Sequence, residues 1–269
     1  MAVSGDSYFS NSIQGIPQTG GDVDLYRNDV TPRYALGYRI TRQDGNEYVY
    51  SHFGADSNRG ILVATDASES SQVDTDNVIV APASAVTTTD GTIGSRFVQI
   101  TLASITADQF AGGYFVVTDD TGEGFTYRVR GNTATDDPTS GDFRLELEDP
   151  LVVAVDGTSD FAIQGNLYAN LEAATAATDI SVAGVTTNTM DVSEAAYGWV
   201  QTKGVVGVLQ DGTIAIGDMC TLSDGTAGAI QVAAGGGTAM GDLIAEELLG
   251  TCLIAGDSTG HGVFKVAIS

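Results

Sequence analysis

Residues 34–53 read YALGYRITRQDGNEYVYSHF, and this stretch indicates the fold class most directly. Apolar and polar side chains alternate from Tyr34 to Thr41 and again from Glu47 to Phe53. A period of two is typical of β-strands, because successive side chains point to opposite faces of a sheet. The Asp44-Gly45 pair between the runs is the strongest short-range signal for a hairpin turn. The stretch therefore predicts two antiparallel strands joined by a tight turn.

Short strands of the same kind follow through the rest of the chain. Runs rich in β-branched and aromatic residues are separated by turn clusters such as Asp119-Asp120-Thr121-Gly122. This pattern predicts an all-β fold of sandwich- or barrel-like domains, preceded by an extended N-terminal arm. The predicted strands are Gly60 to Ala64, Asn77 to Ala81, Arg96 to Leu102, Tyr114 to Thr118, Phe125 to Arg130, Phe143 to Leu147, Leu151 to Val155, Gly198 to Lys203, Val205 to Leu209, Met219 to Leu222, Ala229 to Ala233, Leu248 to Ala255 and Val263 to Ile268.

A few segments depart from the strand pattern. Ala103 to Ala111 and the Ala-rich run Leu171 to Thr178 favour short helices. Residues 66–77 are polar and rich in Asp and Ser, which favours a loop.

Turn clusters and punctuating prolines divide the chain into three predicted regions. Residues 1–36 form the extended arm, residues 37–188 a β-rich domain, and residues 189–269 a C-terminal β domain. An arm with spaced aromatics either lies along a neighbouring subunit or packs on its own domain. The candidate contact residues of the arm are Tyr8, Phe9, Leu25, Tyr26, Arg27 and Arg33.

The charge of the chain is strongly negative and unevenly distributed. Asp and Glu total 35 against 11 Lys and Arg, a formal net charge of −24. Such a surface repels phosphate backbones and anionic membranes, so we expect neither nucleic acid nor a membrane as a partner. Every Arg lies between Arg27 and Arg144. The Arg-bearing half is the better candidate for contact with an acidic partner, unless its guanidinium groups pair with local carboxylates.

Three residues are predicted to belong to the core. Cys220 and Cys252 lie in apolar strand-like contexts and are interpreted as small buried side chains rather than a disulfide framework. Trp199 is interpreted as a core aromatic, with an exposed subunit anchor as the alternative. No secretory signal is visible in the first 30 residues, so we expect the protein to be made and used in a reducing cytoplasm.

Motifs that could carry chemistry are weak in this chain. Residues 256–260, GDSTG, match the nucleophile-elbow pattern, but a strand-like run follows His261 where a helix is needed, so a hairpin turn is predicted. His52 is interpreted as a strand-end residue, and neither His lies at metal-ligand spacing. Paired acids such as Asp136 and Asp137 fit solvated turns better than a calcium loop. We therefore predict no enzymatic activity, no cofactor and no metal.

Several segments also carry a resemblance that spans most of the chain. They are Tyr197 to Gly204, Gly207-Val208-Leu209, Gly217 to Ser223, Phe264 to Ile268, Tyr127 to Asn132, Leu145 to Leu151, Asn166-Leu167-Tyr168, Leu25 to Asp29 and Gly45 to Tyr48. Together they resemble the capsid decoration, or cement, protein family of marine tailed phages.

The resemblance implies a virion structural protein without an active site. A homotrimer would sit at local three-fold positions on the outer surface of the capsid, clamping adjacent copies of the major capsid protein after assembly in the cytoplasm of the host bacterium. The alternatives are a tail or fibre component, which is also β-rich and trimeric, and an all-β hydrolase.

Overall fold

The computed structural model describes residues 23–66, 71–74, 90–102, 104–136, 141–175, 179–233 and 248–268. Within these ranges the regular structure consists of β-strands without any helix, and the sheets curl as a half-barrel. The prediction of an all-β, barrel-like fold is confirmed. The strands are β1 (Arg39–Thr41), β2 (Glu47–His52), β3 (Leu62–Asp66), β4 (Ser71–Asp74), β5 (Phe97–Thr101), β6 (Tyr114–Asp119), β7 (Thr126–Asn132), β8 (Asp142–Leu147), β9 (Asp160–Gln164), β10 (Leu171–Ala173), β11 (Asp179–Thr186), β12 (Tyr197–Leu209), β13 (Met219–Leu222), β14 (Ile230–Val232), β15 (Gly250–Ile254) and β16 (His261–Ala267).

The chain divides into two compact units at positions that differ from the predicted domain boundaries. One unit combines the described residues up to Thr65 with those from Asn170 onward, and the other spans Asp66–Ala169. Pairing within the first unit crosses both predicted boundaries, because Asp29 bridges Tyr197 and β11 pairs with β12. The second unit is therefore an insertion in the sequence of the first.

The first unit is built on a ten-stranded sheet of described residues, in which β12 makes the most connections. This strand pairs with β2 through its first part and with β16 through its second, as one 13-residue strand where two were predicted. The register with β2 shifts between Gln201 and Lys203, and Gly204 beside the shift has a φ of 104°, which favours glycine. The path through the sheet is β10-β3-β11-β12-β16-β15-β13-β14, with β2 joined to β12 and β1 to β2.

The hairpin expected from residues 34–53 is present, but its first strand begins at Arg39 rather than at Tyr34. Arg39 lies opposite Val49 in the β1–β2 pair, and Gly45 turns the chain with a φ of 84°. A residue with a side chain would be strained at that φ, which explains why an Asp-Gly pair predicts a turn here.

Aromatic residues fill one core of the first unit, and aliphatic residues with the cysteines fill another. Trp199 is buried and its ring lies within 5.4 Å of the rings of Tyr34 and Tyr50. Cys220 and Cys252 are buried and free among aliphatic side chains. The interpretations of Trp199 and of both cysteines as core residues are confirmed.

The second unit holds a six-stranded sheet of described residues in the order β4-β9-β6-β7-β8-β5. Burial alternates strictly along β8, where Phe143, Leu145 and Leu147 point inward. Inward residues of the other strands join them in one apolar core, including Phe115 and Phe161.

Four local predictions are wrong. The helix expected over Leu171 to Thr178 is replaced at its start by β10, because Leu171–Ala173 pairs with β3 and tertiary pairing outweighs the helix propensity of alanine. Residues 104–112 form turns, with Ile105 and Phe110 as buried anchors. The loop expected at 66–77 contains β4, and Leu151 to Val155 forms no strand. The strand predicted at Asn77 to Ala81 lies outside the described residues.

Candidate functional site

The described part of the predicted arm packs on the first unit of its own chain. Leu25 is buried in the aromatic core, and Thr187 donates a hydrogen bond from its hydroxyl to the Leu25 carbonyl oxygen at 2.7 Å. Two apolar residues of this segment are instead exposed, Tyr26 at 66% and Val30 at 74%. Tyr8 and Phe9 lie outside the described residues.

Arg27 and Arg33 converge on one buried carboxylate. Their Nε atoms lie 3.0 Å and 3.2 Å from Asp29 Oδ1, and Asp29 is only 7% exposed. Both guanidinium groups are about half exposed. Both Arg residues thus pair with a local carboxylate, which was the alternative interpretation of the Arg distribution. Each guanidinium group has five N–H donors, so some of them still face solvent.

An apolar surface that the sequence interpretation missed lies on the outer face of the sheet in the first unit. A continuous row of directly paired residues crosses β12, β16, β15 and β13: Val205, Lys265, Thr251 and Met219. Paired residues share one face of a sheet, so these four side chains lie side by side. Ile254, paired with Val263 in the next row, extends the same surface. We call these residues, together with the adjoining Leu253, the outer face.

The outer face is exposed, whereas the opposite face of the same strands forms the core. Val205 is 51% exposed, Met219 48% and Ile254 59%. On the opposite side Cys252 and Phe264 pair and are buried. Val205 and Met219 stand at the two ends of the row, with Thr251 and the stem of Lys265 between them. Exposed apolar side chains grouped on one sheet face are typical of protein–protein contact surfaces.

The outer face carries no carboxylate in a chain of net charge −24. Its one charged residue is Lys265. At the margin, Glu47 accepts a hydrogen bond from Lys203 at 3.0 Å. That bond, together with Arg39, lowers the pKa of Glu47 despite partial desolvation. Two copies of the chain can approach here with less repulsion than elsewhere.

The sequence of β12 carries one signal for the outer face. The run Val205-Val206-Gly207-Val208-Leu209 is apolar at consecutive positions, whereas a strand with one solvated face alternates. Consecutive apolar positions indicate that both faces of this strand meet apolar surroundings.

The residues considered for chemistry lie in a turn and at a strand end. Ser258 lies in the turn between β15 and β16, which confirms the predicted hairpin turn. His52 ends β2, as predicted, and burial lowers its pKa. Its Nδ1 accepts a hydrogen bond from the Asn170 backbone N–H at 3.4 Å. No group of three or more His, Cys, Asp or Glu is placed to hold a metal ion in the described ranges.

The described residues contain no helix that is long and apolar enough to cross a membrane. No protein-family model matches the chain, and neither a curated protein nor a solved structure matches it.

Proposed function

We propose that this chain is a virion structural protein, a capsid decoration or cement protein that binds the outer surface of the major capsid shell as a homotrimer. The observation that carries the proposal is the outer face, an apolar sheet surface without carboxylates on a highly acidic chain. Two parts of the proposal, the capsid shell as the partner and the trimer as the oligomeric state, rest on the resemblance of the sequence to phage decoration proteins.

The outer face is the contact between copies in this proposal. Removing exposed Val205, Met219 and Ile254 from water is favourable by about 25 cal/mol per Å² of apolar area. A contact through the acidic parts of the surface would bring carboxylates together, which disfavours association. A closed ring of three copies multiplies weak shell contacts into avidity.

The arm segment is the contact with the shell. Tyr26 offers an exposed aromatic ring, and Arg27 and Arg33 of the same segment offer half-exposed guanidinium groups. Aromatic and Arg side chains are the commonest anchors of protein interfaces. A protein that binds only the assembled shell stabilises that shell by its binding free energy, without an enzymatic step or a cofactor. Neither nucleic acid nor a membrane is a partner in this proposal.

The self-contact is tested with a matched pair of substitutions. Ile254→Glu places a charge on the outer face, and Ile93→Glu places the same charge at a site on the second unit that is 70% exposed. We expect sedimentation equilibrium to give a trimer for the wild type and Ile93→Glu, and a monomer for Ile254→Glu with an unchanged circular dichroism spectrum. A trimer that survives Ile254→Glu would remove the outer face from the proposal.

The shell contact is tested by counting copies in purified particles. Quantitative mass spectrometry should give a ratio near one chain per major capsid protein for a shell-wide decoration protein. A few to a few tens of copies per particle would instead indicate a tail or vertex component, and absence from particles would contradict the virion role.

A further inference from the structure

A groove of about 520 Å³ opens on the first unit beside the C-terminal part of β12. This volume lies within the range typical of small-molecule sites. Three cationic or potentially cationic side chains line it, those of Arg42, Arg59 and His261, and none of its lining residues is an Asp or Glu. A groove lined by cationic side chains without any carboxylate is unusual in a chain with 35 acidic residues.

The Arg side chains of the groove are not neutralised by the described part of the chain. Arg42 lies over the ring of Tyr48, with its guanidinium carbon 5.5 Å from the ring centre, and Arg59 is exposed. Neither forms an ion pair with a described carboxylate. In contrast, Arg27 and Arg33 are both engaged by Asp29.

The backbone of β12 adds a donor to the groove. The Thr202 carbonyl oxygen accepts a hydrogen bond from the Ile268 N–H, and the Gln210 N–H donates to the Gly260 carbonyl oxygen. In an antiparallel pair, every second residue bonds to the partner strand, so these two bonds show which residues of β12 bond to β16. By that alternation the N–H and C=O groups of Val205, Gly207 and Leu209 point away from β16.

Two of these three residues already have a hydrogen-bond acceptor for their N–H group. The Val205 N–H donates to Asn46 Oδ1 at 3.1 Å, and the Leu209 N–H donates to the Gly60 carbonyl oxygen at 2.7 Å. Gly207 lies between them and lines the groove, and its N–H has no bonded partner among the described residues.

The position of His261 depends on a glycine. A Cβ at Gly60 would come within 2.9 Å of the His261 ring, and the φ of 72° at Gly60 also favours glycine. The close approach holds the imidazole at the groove wall, on the same side as Gly207. Donors of three chemical types thus surround one space.

We infer that this groove is a binding site for a small organic or inorganic anion that presents a carboxylate or phosphate group. Arg42 and Arg59 supply forked guanidinium donors that match both groups, and the Gly207 N–H supplies a further, fixed donor. The exposed ring of Tyr26 forms part of the wall and can cover an organic ligand. The inference stands on the groove alone and does not require the proposed virion role.

The test is a titration of the full-length, isotope-labelled protein with inorganic phosphate and, separately, with citrate. We expect a saturable shift of the Gly207 amide resonance with at least one probe, weakening as sodium chloride is raised. Arg59→Gln should raise the Kd about tenfold, which corresponds to the loss of one charge-assisted hydrogen bond. The control is Arg96→Gln, which removes the same charge from an exposed site outside the groove and should leave the Kd unchanged.

The two probes separate the possible ligand groups. Saturation with phosphate alone identifies a phosphate site, saturation with citrate alone identifies a carboxylate site, and both results support the inference. If neither probe shifts Gly207 up to about 10 mM, or if Arg96→Gln weakens binding as much as Arg59→Gln, the groove is not an anion site.

Discussion

The hydroxyl of Tyr50 donates a hydrogen bond to Asp29 Oδ2 at 3.0 Å, and both residues are buried. This bond joins the segment before β1 to the aromatic core. Asp29 also bridges Tyr197 through the backbone, so one residue connects the N-terminal segment, β2 and β12.

The first prediction concerns Tyr50→Phe and pH. Burial, and more weakly the neighbouring Asp29, raises the pKa of Tyr50 to about 12, from an ordinary value of about 10. The contribution of the neutral phenol to stability is therefore complete below pH 10 and is lost as pH rises through 12. Tyr50→Phe should cost about 1 kcal/mol of unfolding free energy at pH 8. Urea unfolding should show this difference shrinking between pH 10 and 12, and a constant difference would contradict the role of the phenol.

The second prediction concerns the carboxylate itself. Asp29→Asn leaves Arg27 and Arg33 without their shared anion, and we expect a loss of about 1–2 kcal/mol in unfolding free energy. Asp149→Asn is the control, because Asp149 is exposed and has no described partner. Equal midpoints in urea for the two variants would show that the Asp29 contacts are energetically neutral.

The third prediction concerns the second unit, where Arg144 binds Asp90 through two nitrogens at 2.8 Å and 2.9 Å. Its guanidinium carbon also lies 3.6 Å from the ring centre of Phe97. Lysine cannot reproduce the forked bond or the stacking, so Arg144→Lys should cost about 1–3 kcal/mol.

The matched control for Arg144→Lys is Arg128→Lys, at a pair with Glu148 in which both side chains are about half exposed. That change should cost less than about 0.5 kcal/mol. Denaturant unfolding of both variants measures the contrast, and similar costs would mean that burial of Asp90 does not strengthen its pair.

The fourth prediction concerns thiol reactivity. Burial, with smaller effects of Cys252 and Asp218, raises the pKa of Cys220 to about 11, and burial also raises the pKa of Cys252. Because the thiolate is the reactive form, both should react with Ellman's reagent at pH 8 only after unfolding. An added cysteine in Thr213→Cys, at an exposed position, provides the fast reference. Reaction of the wild type at a comparable rate without denaturant would show that the β13–β15 region opens readily.

The sequence predicted the strands whose alternation and turns are local. The β1–β2 hairpin follows from residues 34–53, and β8 follows from its alternating aromatic and aliphatic residues. β10 was missed because an Ala-rich run favours a helix in isolation, and only pairing with β3 makes it a strand.

The candidate surfaces were less predictable than the strands. Tyr26, Arg27 and Arg33 were identified from the sequence. The burial of Asp29, which pairs with both Arg residues, was not, because its contacts with Tyr50 and Tyr197 join residues 21 and 168 positions apart. The groove brings together Arg42, Arg59, Gly207 and His261 from four parts of the sequence. No local pattern connects these positions.

The sequence by itself determined the all-β class, the main hairpin, the burial of Trp199 and both cysteines, and the strongly negative charge. These properties depend on local alternation, turn chemistry and composition. The tertiary structure decided which strands pair, where the inserted unit begins and ends, and which apolar strand face stays exposed. Strand pairing is non-local, because the same extended segment can bond to any strand of suitable pattern. Only the assembled sheet places Val205, Lys265, Thr251 and Met219 in one row.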